Sequence, residues 1–171
     1  MVGVTLGLAG IATVMVLLAL SAFFSSSETA IFSLPAEWFE QQAATNDPRA
    51  RVLKELYDDP HRLLVTLLVG NNVVNIAISS IVTVLVASYL PTGSAVAVTT
   101  VCTSFLVLVF GEIVPKAFGL GNAERWSLRI ASPIRLVERL LSPLITLFDG
   151  ITRRMNAYIS GDANIEKPYT D

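Results

Sequence analysis

From Leu63 to Gly111 the chain carries no charged side chain, and this one feature removes most of the folds open to a chain of 171 residues. A helix or strand at a water-facing surface needs a polar face, and the polar side chains of this run are all uncharged, chiefly Ser, Thr and Asn scattered among apolar residues. The run is roughly twice the 20 or so apolar residues that one helix needs to cross a bilayer core. "PTGS" (Pro91 to Ser94) divides it with turn residues, so it reads as two spans, one within Leu63–Leu90 and one from Ala95 to about Leu120. A third uncharged stretch begins at Val2 and continues to Phe32, broken only by Glu28 near its end. With no basic segment ahead of it, it reads as a retained span rather than a signal peptide. Composition agrees: 53% of residues are hydrophobic, 15% are charged and the mean hydropathy is +0.61, outside the range of ordinary soluble domains.

The basic residues orient these spans. Of the twelve Lys and Arg, Arg49, Arg51, Lys54 and Arg62 lie between the first and second spans, and the rest lie from Lys116 onward. None precedes the first span or falls in the "PTGS" turn, so the amino terminus is expected outside and the carboxyl terminus in the cytoplasm of a multi-pass cell-membrane protein. The connection 35–62 reads as short cytoplasmic helices, with Pro35 suited to a first helical position and "NDP" and "DDP" as helix-start signals. Gly70 followed by Asn71, Asn72 and Asn75 predicts a broken or re-entrant start to the second span. After residue 121 the segment 122–160 is amphipathic, with Pro133 and Pro143 expected to kink or divide it. It reads as a juxtamembrane helical belt, the alternative being a soluble helix packed on a further domain. Residues 161–171 read as a polar linker. The expected architecture is all-α integral membrane, with residues 1–121 holding the three transmembrane helices.

Three polar clusters interrupt the apolar sequence. In "FFSSSETA", Ser21, Ser25 and Glu28 share one helical face. In "GNNVVNIAISS", Asn72, Asn75 and Ser79 share another, and Asn71 with Asn75 form a rival face. In "FGEIVPK", Gly111 and Glu112 precede Pro115 and Lys116. An ionisable group in a membrane segment is by default a functional-site hypothesis, and only Glu28 and Glu112 qualify. Pro115 has no amide hydrogen, so the Gly111 carbonyl loses its helical donor beside the Glu112 carboxylate. A hard cation favours such oxygens, supplemented by hydroxyl and amide oxygens. One cysteine, Cys102, and one histidine, His61, exclude a Cys/His zinc site, and the absence of soft ligands disfavours copper. Each feature has a plainer reading. The serines can bond their own helix or pack closely, Asn71 can clamp two helices, Glu112 can pair with Lys116 at i,i+4, and Glu28 can be hydrated.

The motifs "FFSSSETAIFSL", "LLVGNNVVNIAISS" and "FGEIVPKAFG", in this order, resemble the transmembrane domain of the CorB/CorC and cyclin M (CNNM) family of magnesium transport proteins. The resemblance implies a homodimer of three-span protomers with a juxtamembrane belt and a largely dehydrated Mg²⁺ in each. By motif position the implied ligands are Ser25, Asn72, Asn75, Glu112 and the Gly111 carbonyl. Ser27, Glu28, Asn71, Ser79, Pro115 and Lys116 stand behind them or along the ion pathway. It also implies a cytoplasmic CBS-domain pair that binds ATP; none of this sequence supplies it.

The expected function is therefore Mg²⁺ transport across the bilayer, in the export direction, by alternating access, with Na⁺ a candidate coupling ion. A membrane-anchored Mg²⁺ sensor or scaffold is the alternative. No nucleophile–base pair, phosphate loop or metalloprotease motif points to an enzyme, and no feature points to nucleic acid.

Overall fold

The computed structural model describes residues 2–88 and 90–160, and every described element is helical. Helix α1 spans Val2–Phe32, α2 Ala36–Ala43, α3 Pro48–Tyr57, α4 Pro60–Ala87 and α5 Thr92–Leu106. A π-helical segment, Val107–Ile113, joins α5 to α6 (Val114–Gly121), and α7 runs from Ala123 to Ser160. Three stretches are long and apolar enough to cross a membrane: Gly7–Phe32, Pro60–Ala87 and Gly93–Gly121. Their outward surfaces carry large apolar side chains, among them Val84, Val101, Phe105 and Ile113, as a lipid-facing surface requires.

The local starts follow from the sequence. Asp47 caps α3 by accepting from the Arg49 amide at 2.8 Å, and Asp59 caps α4 by accepting from the Arg62 amide at 3.1 Å. In both helices the next residue is a proline at the first helical position, where its missing amide costs nothing. Pro35 lies one residue earlier than expected, at the N-cap of α2. Pro91 likewise caps α5, so Gly93 and Ser94 are already helical and the turn between α4 and α5 ends before Thr92.

Neither α4 nor α7 is divided where a break was expected, and both corrections have a packing cause. Helix α4 is continuous through Gly70. The glycine serves a close approach: a Cβ there would meet the Phe24 ring at 2.6 Å. Helix α7 is likewise one helix containing Pro133 and Pro143. Both prolines are exposed, while Ile130, Ile134, Glu138 and Ile145 of the opposite face are buried. The carbonyls the prolines leave unpaired belong to the outer face, and packing of the inner face holds the helix together.

Helix α1 lies between α4 on one side and the π-segment with α6 on the other, and a glycine marks each closest approach. Gly70 meets Phe24, a Cβ at Gly111 would lie 2.7 Å from Ser21 Oγ, and one at Gly119 would lie 2.3 Å from the Ser26 carbonyl oxygen. Small residues at such contacts let helix backbones pack closely where no hydrophobic force acts between spans. Beyond the spans, α2, α3 and α7 continue the same core through Phe39, Leu53, Leu63 and Ile134, with Phe39 stacked on Tyr57 at 3.8 Å between ring centroids.

Candidate intramembrane cation site

The site is assembled from three elements. Helix α1 presents Ser21 and Ser25, one turn apart and both buried. Helix α4 presents Asn71 and Asn75, whose Oδ1 atoms lie 3.0 and 2.8 Å from Ser21 Oγ. The π-segment closes the third side with Gly111, which is buried against Ser21. A hydroxyl carries one proton, so in this arrangement three oxygens share a single donor. One turn further along α1, Ser25 Oγ is buried with no hydrogen-bond partner among the described residues. Buried polar groups in native proteins are nearly always paired, so this cluster has hydrogen-bonding or coordinating capacity that the described residues leave unused.

The π-segment extends the same pattern to the backbone. The Val114 amide donates to the Val109 carbonyl, five residues back. The Phe110 carbonyl therefore has no helical donor, because its α partner is committed elsewhere and its π partner would be Pro115. The Gly111 carbonyl lacks its α-helical donor, which would again be Pro115. Two successive carbonyls thus adjoin Glu112, a half-buried carboxylate with no hydrogen bond or ion pair among the described residues. No group of three or more His, Cys, Asp or Glu side chains comes together among the described residues. Glu112 follows in sequence the glycine that packs on Ser21, and the other groups of the cluster are neutral.

The remaining sequence candidates separate into distinct positions. Asn72 is exposed and lies outside the cluster, whereas Asn71, from the rival face, is inside it. Lys116 reaches Glu28 at 3.4 Å rather than pairing with Glu112. Ser27 Oγ donates to the Phe23 carbonyl at 2.6 Å. Ser26 Oγ donates to that carbonyl at 3.1 Å and accepts from Trp126 Nε1 at 3.1 Å, tying α7 to α1. Ser79 Oγ donates to the Asn75 carbonyl at 3.0 Å, one turn beyond the cluster, and Pro115 is buried. Ser21, read from the sequence as a packing serine, is the hub. The signals available for it were its shared face with Ser25 and the missing side chain at Gly111.

A second polar assembly was largely hidden in the sequence. Glu138 of α7 is 7% exposed and is held by Arg62 of α4 and by Arg135, whose Nη1 lies 3.1 Å away. Arg135 also pairs with Glu55 of α3, and Arg62 Nη2 donates to Ser142 Oγ at 3.1 Å. Only the Arg135–Glu138 spacing of i,i+3 was visible in the sequence.

Three apolar spans around a buried oxygen cluster, with a charged helical layer at one end, define a multi-pass α-helical membrane protein with an intramembrane polar site. The model of the cyclin M transmembrane N-terminal domain matches residues 12–171, and the chain belongs to that family. It is similar to the UPF0053 inner membrane protein YfjD of Escherichia coli, at 32% identity over 80% of this chain and 32% of the relative. A UPF0053 protein of Synechocystis is 32% identical over 83% of this chain and 41% of its own length. A chloroplastic DUF21 domain-containing protein of Arabidopsis thaliana is 35% identical over 75% of this chain and 19% of its own. The chain therefore spans well under half the length of these relatives.

Proposed function

We propose that this protein carries Mg²⁺ across the membrane, exporting it by alternating access around the cluster of Ser21, Ser25, Asn71, Asn75, Glu112 and the carbonyls of Phe110 and Gly111. The observation that carries the reading is the oxygen excess: Ser25 Oγ is buried without a partner, one turn from a hydroxyl faced by two amide oxygens. A hard cation supplies the positive charge that so many inward oxygens lack. Membership of the cyclin M family supports the choice of Mg²⁺.

The charge count suits a carrier. Mg²⁺ gives up its water reluctantly and wants octahedral oxygen geometry. A single carboxylate offsets only part of that cost, so capture is reversible and release remains possible. The same neutral oxygens accept Na⁺ in another state, which makes Na⁺ entry the proposed driving force. The amino terminus faces outside and α7 the cytoplasm, following the distribution of Lys and Arg. Protomers pair as a homodimer, and a cytoplasmic CBS-domain pair acts on the spans through α7.

The test is Glu112→Gln, which keeps the shape and removes the charge. With Mg²⁺ at 100 times its Kd, binding stabilises the folded protein by about 2.7 kcal/mol. The variant loses that Mg²⁺-dependent rise in Tm and loses Mg²⁺ flux from proteoliposomes reporting on a Mg²⁺-sensitive dye. Unchanged Mg²⁺ stabilisation in Glu112→Gln moves the site elsewhere. Intact Mg²⁺ stabilisation with no flux from the full-length wild-type protein under any cation gradient turns the reading to a sensor or scaffold.

A further inference from the structure

On the side of the cluster that faces the turn between α4 and α5, the second and third spans flank a half-open pocket of about 440 Å³. Its walls are unusual for the middle of an apolar hairpin. Asn75, Ser79 and Thr83 of α4 face Thr99 and Thr103 of α5, with Val107 of the π-segment at the inner end. These residues form two rows of one-turn steps that converge on the cluster. The α4 row ends at Asn75, which also meets Ser21 at 2.8 Å. The α5 row ends at Val107, whose Cγ1 lies 3.7 Å from the position a Cβ on Gly111 would take. One valine side chain thus stands between the pocket and Gly111.

Thr99 and Thr103 show what the pocket is built to hold. A Ser or Thr inside a helix ordinarily bonds the carbonyl one turn back. Ser79, Thr83 and Thr100 do so here, at 3.0, 2.7 and 2.9 Å. Thr99 and Thr103 do not, although each is only 6% exposed and lines the pocket. Their Oγ1 atoms are buried without a partner among the described residues. A hydroxyl in an apolar setting that declines its own backbone needs another partner. All the polar groups lining the pocket are neutral, so they are suited to bind water around an ion better than a bare Mg²⁺. The size agrees: six waters in an octahedral shell, at about 30 Å³ each, fill less than half of the space.

We propose that this pocket is a hydrated vestibule of the ion route, in which a Mg²⁺ that retains its water shell rests on the Thr99 and Thr103 hydroxyls, and that Val107 is the apolar gate between vestibule and cluster. The inference rests on the transport reading above and adds the half of the route that leads away from α2 and α3. Passage requires Val107 to move aside while Asn75, shared by both compartments, exchanges its bond to Ser21 for the ion or its water.

The test uses full-length protein in proteoliposomes, with the exposed Cys102 replaced by alanine and single cysteines at 99, 103 or 101. Val101 is 70% exposed on the outward surface of the same helix and serves as the lipid-facing control. A charged, membrane-impermeant thiosulfonate added on the side of the α4–α5 turn should modify Thr99→Cys and Thr103→Cys at least 10-fold faster than Val101→Cys. Equal, slow modification of all three means the pocket is dry and overturns the proposal. The second arm is the double variant Thr99→Val, Thr103→Val, which keeps shape and removes both hydroxyls. Its expected result is a 5- to 10-fold loss of Mg²⁺ flux with the Mg²⁺-dependent rise in Tm unchanged. Wild-type flux in this variant overturns the vestibule while leaving the transport reading intact, provided Glu112→Gln is inactive. If the wild-type protein moves no Mg²⁺ at all, the transport reading and the ion-route role fall together, whatever the labelling shows.

Discussion

Glu138 and Glu112 are both carboxylates held away from free water, and the chain treats them in opposite ways. Glu138 has Arg62 and Arg135 against it, drawn from two helices, while Glu112 has no cation paired with it among the described residues. A buried charge is tolerated only when it is paired. At Glu138 the pairing is internal, so the network acts as a fixed rivet joining α7 to α3 and α4. At Glu112 the pairing is left to whatever enters, and the nearest lysine is engaged by Glu28 instead. On the proposed reading, a structural acid differs from a functional one by its counter-charge and not by its depth of burial.

Substitutions can break this contrast. The largest effect is expected from Glu138→Ala, which strands two arginine side chains. Removing one partner of a buried pair costs about 3–5 kcal/mol, and thermal melts should show this loss equally with and without Mg²⁺. A Mg²⁺-dependent loss at Glu138 would mean that the two acids are coupled and the contrast is false. Next comes Gly119→Ala, whose new Cβ would lie 2.3 Å from the Ser26 carbonyl oxygen. Overpacking of this kind costs roughly 1–3 kcal/mol, again independent of Mg²⁺. Pro115→Ala should be milder in stability and sharper in function. The restored amide supplies a donor to Phe110 or Gly111, and Mg²⁺ affinity should fall several-fold in a titration although no ligand side chain has changed. The smallest effects compare neighbours: Asn71→Ala should reduce the Mg²⁺-dependent rise in Tm, whereas Asn72→Ala, on the exposed surface, should shift stability by no more than about 0.5 kcal/mol and leave Mg²⁺ binding alone.

That last pair also shows where reading the sequence stops. The spans were legible because absence of charge over such a length has one physical meaning, and α1 ends at Phe32 as its pattern required. Glu112 and Gly111 were legible because proline chemistry is local. The choice between asparagines was not, because residues 71, 72 and 75 permit two helical faces, and packing decides between them. Gly70 read as a break, yet it is the contact with Phe24 that turns α4. Gly70, Val74 and Ile78 are the buried stripe, so Asn71 and Asn75 flank α1 and Asn72 points away. The Arg62–Glu138 bond joins residues distant in sequence, and nothing local at Arg62 announces it.

The π-segment has a consequence of another kind. A π turn accommodates one residue more than an α turn, so the third span can be viewed as an ordinary helix carrying a one-residue insertion between Thr103 and Pro115. Deleting one residue from Val107–Phe110 should restore an ordinary α turn with little net rotation of the flanking helices, because the wide turn already absorbs the extra residue. The Val114 amide, which now bonds the Val109 carbonyl, would then reach the carbonyl four residues back, while the side chains on either side of the segment would keep their facing. A deletion scan of this segment therefore separates what the backbone carbonyls contribute from what the side chains contribute.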